Sequence, residues 1–328
     1  MYYTKKMNAE KVKHLMNESG KAGKPFLFAV DYELNAGIFI ENPLDQSDIL
    51  FKTPLGSNKT DEKSPLTVKS LEMFPITFEE YRLRFEKVMK SLKRGDTYLV
   101  NLTVKTPIIT QISLFDIFQH SNSPFGLYIP DQFVCFSPER FVQISDGIIS
   151  TYPMKGTISA DIPDAEKLIL ENKKETAEHA TIVDLLRNDI SFFADEVKVN
   201  RYRYIEKIES LNGSILQVSS EISGKLPIGY QSKLGNIIFG LLPAGSVSGA
   251  PKESTLKIIN NSEPQKRGFY TGVFGYFDGE NLDSGVLIRF IEKGKDGLFF
   301  HSGGGITALS NAEDEYDEVL KKIYLPFN

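Results

Sequence analysis

The chain has 328 residues, 41% hydrophobic and 25% charged, enough to bury a large core in one or two domains. Its 38 basic and 43 acidic residues leave a net charge of −5 with no long basic run, which argues against a nucleic-acid partner. The single cysteine, Cys135, excludes an intrachain disulfide and a cysteine metal cluster; the lack of an apolar signal core or a bilayer-length apolar run points to a reducing, cytoplasmic compartment and no membrane partner.

Residues 1–52 read as a small α+β start: helical spacing in "AEKVKHLMNE", then β-rich "GKPFLFAVDYE" and "GIFIEN". The polar run "TPLGSNKTDEKSPLTVKS" (53–70) reads as a linker, so residues 1–73 are expected as a short N-terminal α+β segment packed on a main domain of residues 74–328. A helix fits "TFEEYRLRFEKVMKSLKRG", with Thr77 and Glu80 as a capping box and Gly95 as its stop; strand "TYLVNLTVK" follows. "FGLYI", "FVCFS", "RFVQIS" and "IISTYP" are short strands, the last two joined by the hairpin turn Asp146-Gly147. Residues 164–189 are helical in pattern, 196–224 mixed, and "SKLGNIIFGLLPAG" is a helix entering a glycine-rich loop. "FYTGVFGYFD", "SGVLIRFIEK" and "GLFFHSGGG" form a strand meander, and "NAEDEYDEVLKKIY" closes the chain as a helix capped by Ser310 with Glu313. Strands and helices arrive in groups, which predicts an α+β fold with antiparallel sheet.

Several residues carry chemistry if their neighbours ask for it. Lys155 in "YPMKGT" stands where nothing structural needs a charge; taken alone it reads as a solvated turn residue. Two helices present E-x-x-E edges, Glu175 with Glu178 and Glu315 with Glu318, beside apolar stripes. Such edges are either solvated faces or, if they converge, carboxylates for a hard divalent ion. "HSGGGIT" and "PAGSVSGAPKES" are glycine loops whose bare backbone suits close approach to an anion, or simple tight turns; the second misses the phosphate-loop spacing. Arg289 interrupts "GVLIRFIE", either as an internal ion pair or to meet a carboxylate bidentately, and Tyr276 is either a core ring or a hydroxyl for the same group. His179 and His301 have no serine or cysteine partner in a recognisable arrangement, so nucleophilic hydrolysis has little support.

Taken together, "SPERF" (137–141), "PMKGT" (153–157), "EHATIVDLLRND" (178–189), "PAGSVSGAPK" (243–252), "RGFYTGVFGYFD" (267–278) and "SGGGITALSNAEDEYDEVLKK" (302–322) resemble the chorismate-utilising enzymes. That family comprises the anthranilate and aminodeoxychorismate synthase components I and the isochorismate and salicylate synthases. The resemblance implies an α/β sandwich of two large, mostly antiparallel sheets with helices outside and the substrate between. It implies Mg²⁺ on Glu178 and Glu318, with Glu175 and Glu315 holding the metal's waters. Arg289 and Tyr276 match the groups on the enolpyruvyl carboxylate, and the backbone of Gly303, Gly304 and Gly305 matches the ring-carboxylate site. Gly156, Thr157 and Ser248 match substrate contacts, and Glu139 the catalytic glutamate. Lysine in "PMKGT" together with "VDLLRND" resembles the aminodeoxychorismate branch, in which the lysine attacks ring C2 as the C4 hydroxyl leaves and ammonia then displaces it. The implied reaction joins chorismate and ammonia into 4-amino-4-deoxychorismate, on the route to para-aminobenzoate and folate. Cys135 lacks a nucleophile's glycine elbow, so ammonia is expected from a separate glutamine amidotransferase subunit. Anthranilate synthase component I is the alternative, although Gln217 aligns with that branch's histidine. Leu99 replaces a usual glutamine, which is expected to alter packing alone.

Overall fold

The structure is a computed structural model that describes residues 6–60, 70–210 and 213–327. The chain opens with β1 (Met7–Asn8), α1 (Ala9–Lys21), β2 (Phe26–Val30), β3 (Ala36–Glu41), β4 (Leu50–Thr53) and β5 (Gly56–Ser57). β6 (Glu72–Met73), α2 (Phe78–Arg94) and β7 (Leu99–Ile109) follow. Thr77 and Glu80 close the expected capping box on α2, and Gly95 ends it at φ 82°, a left-handed backbone that glycine adopts freely. α3 (Leu114–His120) precedes β8 (Phe125–Ile129), β9 (Phe133–Ser137), β10 (Arg140–Ser145), β11 (Ile148–Thr151) and β12 (Met154–Ser159). Asp146 and Gly147 both take positive φ between β10 and β11, as the hairpin turn requires. Then come α4 (Ala165–Glu171), α5 (Lys173–Ser191), β13 (Asp195–Ser210), β14 (Gly213–Lys225), α6 (Leu234–Leu241), α7 (Gly245–Ser248), β15 (Gly249–Ala250) and α8 (Lys252–Ser262). β16 (Val273–Phe277), β17 (Leu282–Val286), β18 (Phe290–Gly294), β19 (Gly297–Ile306) and α9 (Ala312–Lys321) complete the fold.

Among the described residues the strands form two antiparallel sheets. One has ten strands, ordered β1-β3-β2-β16-β17-β10-β11-β14-β12 with β13 on β14; the other has nine, ordered β15-β7-β19-β18-β9-β8-β4-β5 with β6 on β7. Period-two alternation places the layers. Phe26, Phe28 and Val30 of β2 face α1 and α6, while Leu27 and Ala29 face the other sheet, where they join Phe51, Phe125, Cys135 and Phe290. Helices α2, α8 and α9 cover β7 and β19 from outside. The fold is the expected sandwich.

Several expectations change on contact with the structure. Part of the expected linker is the β4–β5 hairpin edge; residues 61–69 lie outside the described residues. The first 73 residues supply strands to both sheets. Residues 164–189 form two helices, and the mixed stretch 196–224 is the long β13–β14 hairpin, whose exposed edge strand carries too little apolar alternation to announce itself. The last helix is capped by Asn311, which accepts from the Glu313 and Asp314 amides, while Ser310 accepts from the Thr307 amide instead. No described helix is long and apolar enough to cross a membrane.

Candidate active site

The site lies at one end of the sandwich, where the chain passes between sheets. Glu139 sits between β9 and β10, and Arg289 between β17 and β18, each connection running from one sheet to the other. A cavity of about 540 Å³ opens there, lined by Glu139, Lys155, Gly156, Thr157, Glu175, Glu178, Arg289, Gly303, Gly305 and Glu318 among others.

Lys155 faces this cavity because its strand is irregular. β12 pairs with β14 through Met154 opposite Ser219 and Thr157 opposite Gln217, three steps against two, so one extra residue bulges out. Gly156 absorbs the kink at φ 80°, where a β-carbon is strained. A bulge re-aims a side chain, and here it turns the lysine inward: the Lys155 side chain is 19% exposed, with Nζ 3.6 Å from Glu178 Oε2.

Glu175, Glu178 and Glu318 line this cavity, while Glu315 lies beside it, next to Gly304. A β-carbon on Gly304 would lie 3.5 Å from Glu315 Oε2 and 3.6 Å from Glu318 Oε1; one on Gly305 would lie 3.3 Å from Glu178 Oε2 and 3.4 Å from Lys155 Nζ. On the far side, a β-carbon on Gly156 would stand 3.4 Å from Glu175 Oε2. A side chain on Gly305 would press on Glu178 and Lys155, whereas one on Gly304 would meet Glu315 and Glu318 at ordinary contact distance. Among the described residues no three acidic, histidine or cysteine side chains close on one point. A magnesium ion needs only one or two carboxylates with water or substrate oxygens for the rest, so this set fits one.

The glycine run is strand, where the sequence suggested a loop. In β19 the odd-numbered residues turn their backbone groups away from β7: Gly297 pairs with Gly294 across the β18 turn, and the Gly303 carbonyl accepts from Lys322 Nζ at 2.7 Å. β18 pairs with β19 only as far as Phe290 opposite His301. Beyond that point its edge of β19 is open, and the amides of Gly303 and Gly305 face the cavity. Gly304 turns its own to β7 and does not line the cavity.

Arg289 stands where β18 leaves that edge, in left-handed backbone at φ 51°. It lies in the sheet-to-sheet connection, so it breaks the strand expected through "GVLIRFIE". Its Nη1 donates to the Lys322 carbonyl at 3.1 Å, while its Nε is buried with no hydrogen-bond partner, which suits a carboxylate ligand. Burial pushes the Glu139 carboxyl above the usual range, against a Ser246 hydrogen bond and the charges of Lys155, Lys322 and Arg289. Such a carboxyl is suited to hold and return a proton.

Two expected contacts do not reach the cavity. Tyr276 points into the inter-sheet core, its ring 5.1 Å from that of Phe51 and packed over Gly56, because β16 alternates and its even positions face inward. Ser248 is fully buried and donates to the Ala244 carbonyl. Tyr270 and Ser246, close to them in the sequence, line the cavity instead. Lys322 also lines the cavity; it is four residues after Glu318, a spacing that puts both on one helix face, and its Nζ donates to Glu318 Oε1 at 2.7 Å. Gln217 lines the wall opposite Thr157. His301 lines it too, its Nε2 3.0 Å from Glu292, and that hydrogen bond is foremost in holding the Glu292 carboxyl at about 2. Cys135 is fully buried, and burial drives its thiol well above the usual range, so it is no nucleophile.

Residues 33–327 match the family described as chorismate binding enzyme. An uncharacterised PabA-like protein of Haemophilus influenzae is 50% identical over 94% of either chain. Aminodeoxychorismate synthase component 1 of Bacillus subtilis is 31% identical over 86% of this chain and 62% of its own. Anthranilate synthase component 1 of Acetivibrio thermocellus is 33% identical over 75% and 52% respectively. This chain therefore spans less than two thirds of those two synthase components. The menaquinone-specific isochorismate synthase of Escherichia coli shares the fold, with a TM-score of 0.72 and 15% identity over 97% of this chain and 82% of that one. The chain belongs to the chorismate binding enzyme family.

Proposed function

We propose that this chain is the chorismate-aminating component of an aminodeoxychorismate synthase, working in the cytoplasm with a glutamine amidotransferase subunit that supplies ammonia. The observation that carries the reading is Lys155, turned by the bulge into a cavity that also holds Glu139, Arg289 and the glutamates of two helices. In this reading Arg289 and Tyr270 hold one substrate carboxylate, and the amides of Gly303 and Gly305 hold the other. Lys155, once its proton has passed to solvent, bonds as a free amine to ring C2; the ring double bonds shift and the C4–O bond breaks, with Glu139 giving the proton that lets the hydroxyl leave as water. Ammonia then bonds to C4, the double bonds shift back and the C2–N bond to Lys155 breaks. The proton shed by the new ammonium group returns to Glu139. A magnesium ion on Glu178 and Glu318, with Glu175 and Glu315 holding its waters, would supply positive charge opposite a substrate carboxylate. Gln217 on the cavity wall is an amide and does not titrate, which favours retention of the enolpyruvyl group over its elimination as pyruvate.

The test is product analysis. Purified chain with chorismate, Mg²⁺ and ammonium salts should give 4-amino-4-deoxychorismate by HPLC, and glutamine should replace ammonium only when an amidotransferase subunit is added. Stoichiometric pyruvate with anthranilate would move the chain to the alternative reading, anthranilate synthase component I. Glutamate formed by the lone chain would overturn the need for a partner.

A further inference from the structure

Both carboxylates assigned to the metal are already engaged by an amine of the same cavity. Lys322 Nζ holds Glu318 Oε1 at 2.7 Å, and Lys155 Nζ stands 3.6 Å from Glu178 Oε2. Neither lysine is a freely solvated surface group: their side chains are 30% and 19% exposed. Lys322 is further anchored on the Gly303 carbonyl at 2.7 Å, so its ammonium is fixed beside the strand that carries the glycine cradle.

We propose that Lys155 and Lys322 are tethered counter-ions that compete with the divalent cation for Glu178 and Glu318. The inference rests on the metal reading above. Glu318 Oε1, which receives an ammonium at hydrogen-bond distance, must release or share it to bind a metal ion, and Glu178, with Lys155 at ion-pair distance, must trade that attraction for the metal's. Displaced together, the two ammonium groups remain in the cavity with Arg289, and the site turns from charge-balanced toward cationic. Metal and dianionic substrate then favour each other, because each is stabilised by the arrangement the other produces. Lys322 acts as a positioning residue in this scheme: it sets what Glu318 can hold.

Binding of Mg²⁺ by calorimetry and of Mn²⁺ by electron paramagnetic resonance, both without substrate, separates the possibilities. Lys322→Met should tighten metal binding roughly three- to tenfold over wild type, the scale of losing one partly exposed ion pair. Lys321→Met, which removes an exposed neighbouring charge, should change it by less than about twofold. Lys155→Met should tighten binding in the same direction and is read in place of Lys322→Met if that variant lacks a cooperative thermal transition. Unchanged or weaker binding in the folded variants overturns the competition and leaves the metal site standing. No saturable binding by wild type, Lys155→Met or Lys322→Met overturns the metal reading itself and the competition with it.

Discussion

Helices α5 and α9 carry the same E-x-x-E pattern yet bury it in opposite order. In α5 the second acid, Glu178, is buried and the first, Glu175, is half-buried at the cavity wall; in α9 the first acid, Glu315, is 1% exposed and the second, Glu318, is half-buried. Their cations also differ in origin. Glu318 finds Lys322 four residues along its own helix, whereas Glu178 depends on Lys155 from a bulged strand. Identical spacing therefore fixes which residues share a helix face but says nothing about depth, which the neighbouring sheet decides. One ion pair is local and forms with its helix; the other exists only when β12 and α5 are both in place.

If the strand-borne lysine is the chemical one, the two cations should separate most sharply. Lys155→Met is expected to lower turnover by at least about 10³-fold, and Lys322→Met by about tenfold. Intact-mass spectrometry of quenched reactions should show a substrate adduct on wild type that is absent from Lys155→Met; an adduct on another residue would undo the assignment. The acids should rank next. Glu178→Gln and Glu318→Gln are expected to lose about 10²-fold in kcat/KM, and Glu175→Gln and Glu315→Gln about tenfold, as groups acting through the metal's waters. Full activity in excess EDTA would erase that ranking. Arg289→Lys keeps the charge but loses the planar fork, so KM for chorismate should rise about tenfold with kcat less affected; steady-state kinetics read the split.

The smallest effect concerns the residues that follow the two acids. Val319 follows Glu318 and is fully buried, while His179 follows Glu178, equally buried, with Nε2 2.6 Å from Ser220 Oγ. Burial foremost, then Arg203 and Lys155, lowers His179 from 6.5 to about 4. A histidine depressed in the folded state contributes stability that is fully present above its unfolded value and is lost as pH falls toward the folded one. The melting temperature of wild type should therefore fall more steeply between pH 6.5 and 4 than that of His179→Gln, by about 5 °C across the window. Parallel curves would show that the histidine takes up its proton alike in the folded and unfolded chain, with no depression in the fold.

What was legible in the sequence was what short-range rules control. The α2 capping box, the Asp146-Gly147 turn, the faces of Glu175 with Glu178 and Glu315 with Glu318, and the oddity of Lys155 were all open to inspection. Depth and crossing were not. Tyr270 and Tyr276 sit in one block, and alternation along β16 cannot say whether its even face meets the cavity or the inter-sheet core. Arg289 read as an interruption of one strand because the sequence "VLIRF" gives no hint that the backbone turns left-handed there and changes sheets. Ser248 and Ser246 are two residues apart on a short helical turn, so chemistry alone could not rank them. Lys322 was within reach of the same periodicity that paired the glutamates.

The open edge of β19 has a kinetic counterpart. Every second amide of that strand is tied to β7, while the amides of Gly303 and Gly305 face the cavity. Along three adjacent glycines of near-identical intrinsic chemistry, deuterium should enter at Gly303 and Gly305 well before Gly304. A bound dianion should then slow the two outer positions and leave the middle one unchanged. The strand would report occupancy of the site as a change in the rhythm of its proton exchange, with no movement of its backbone.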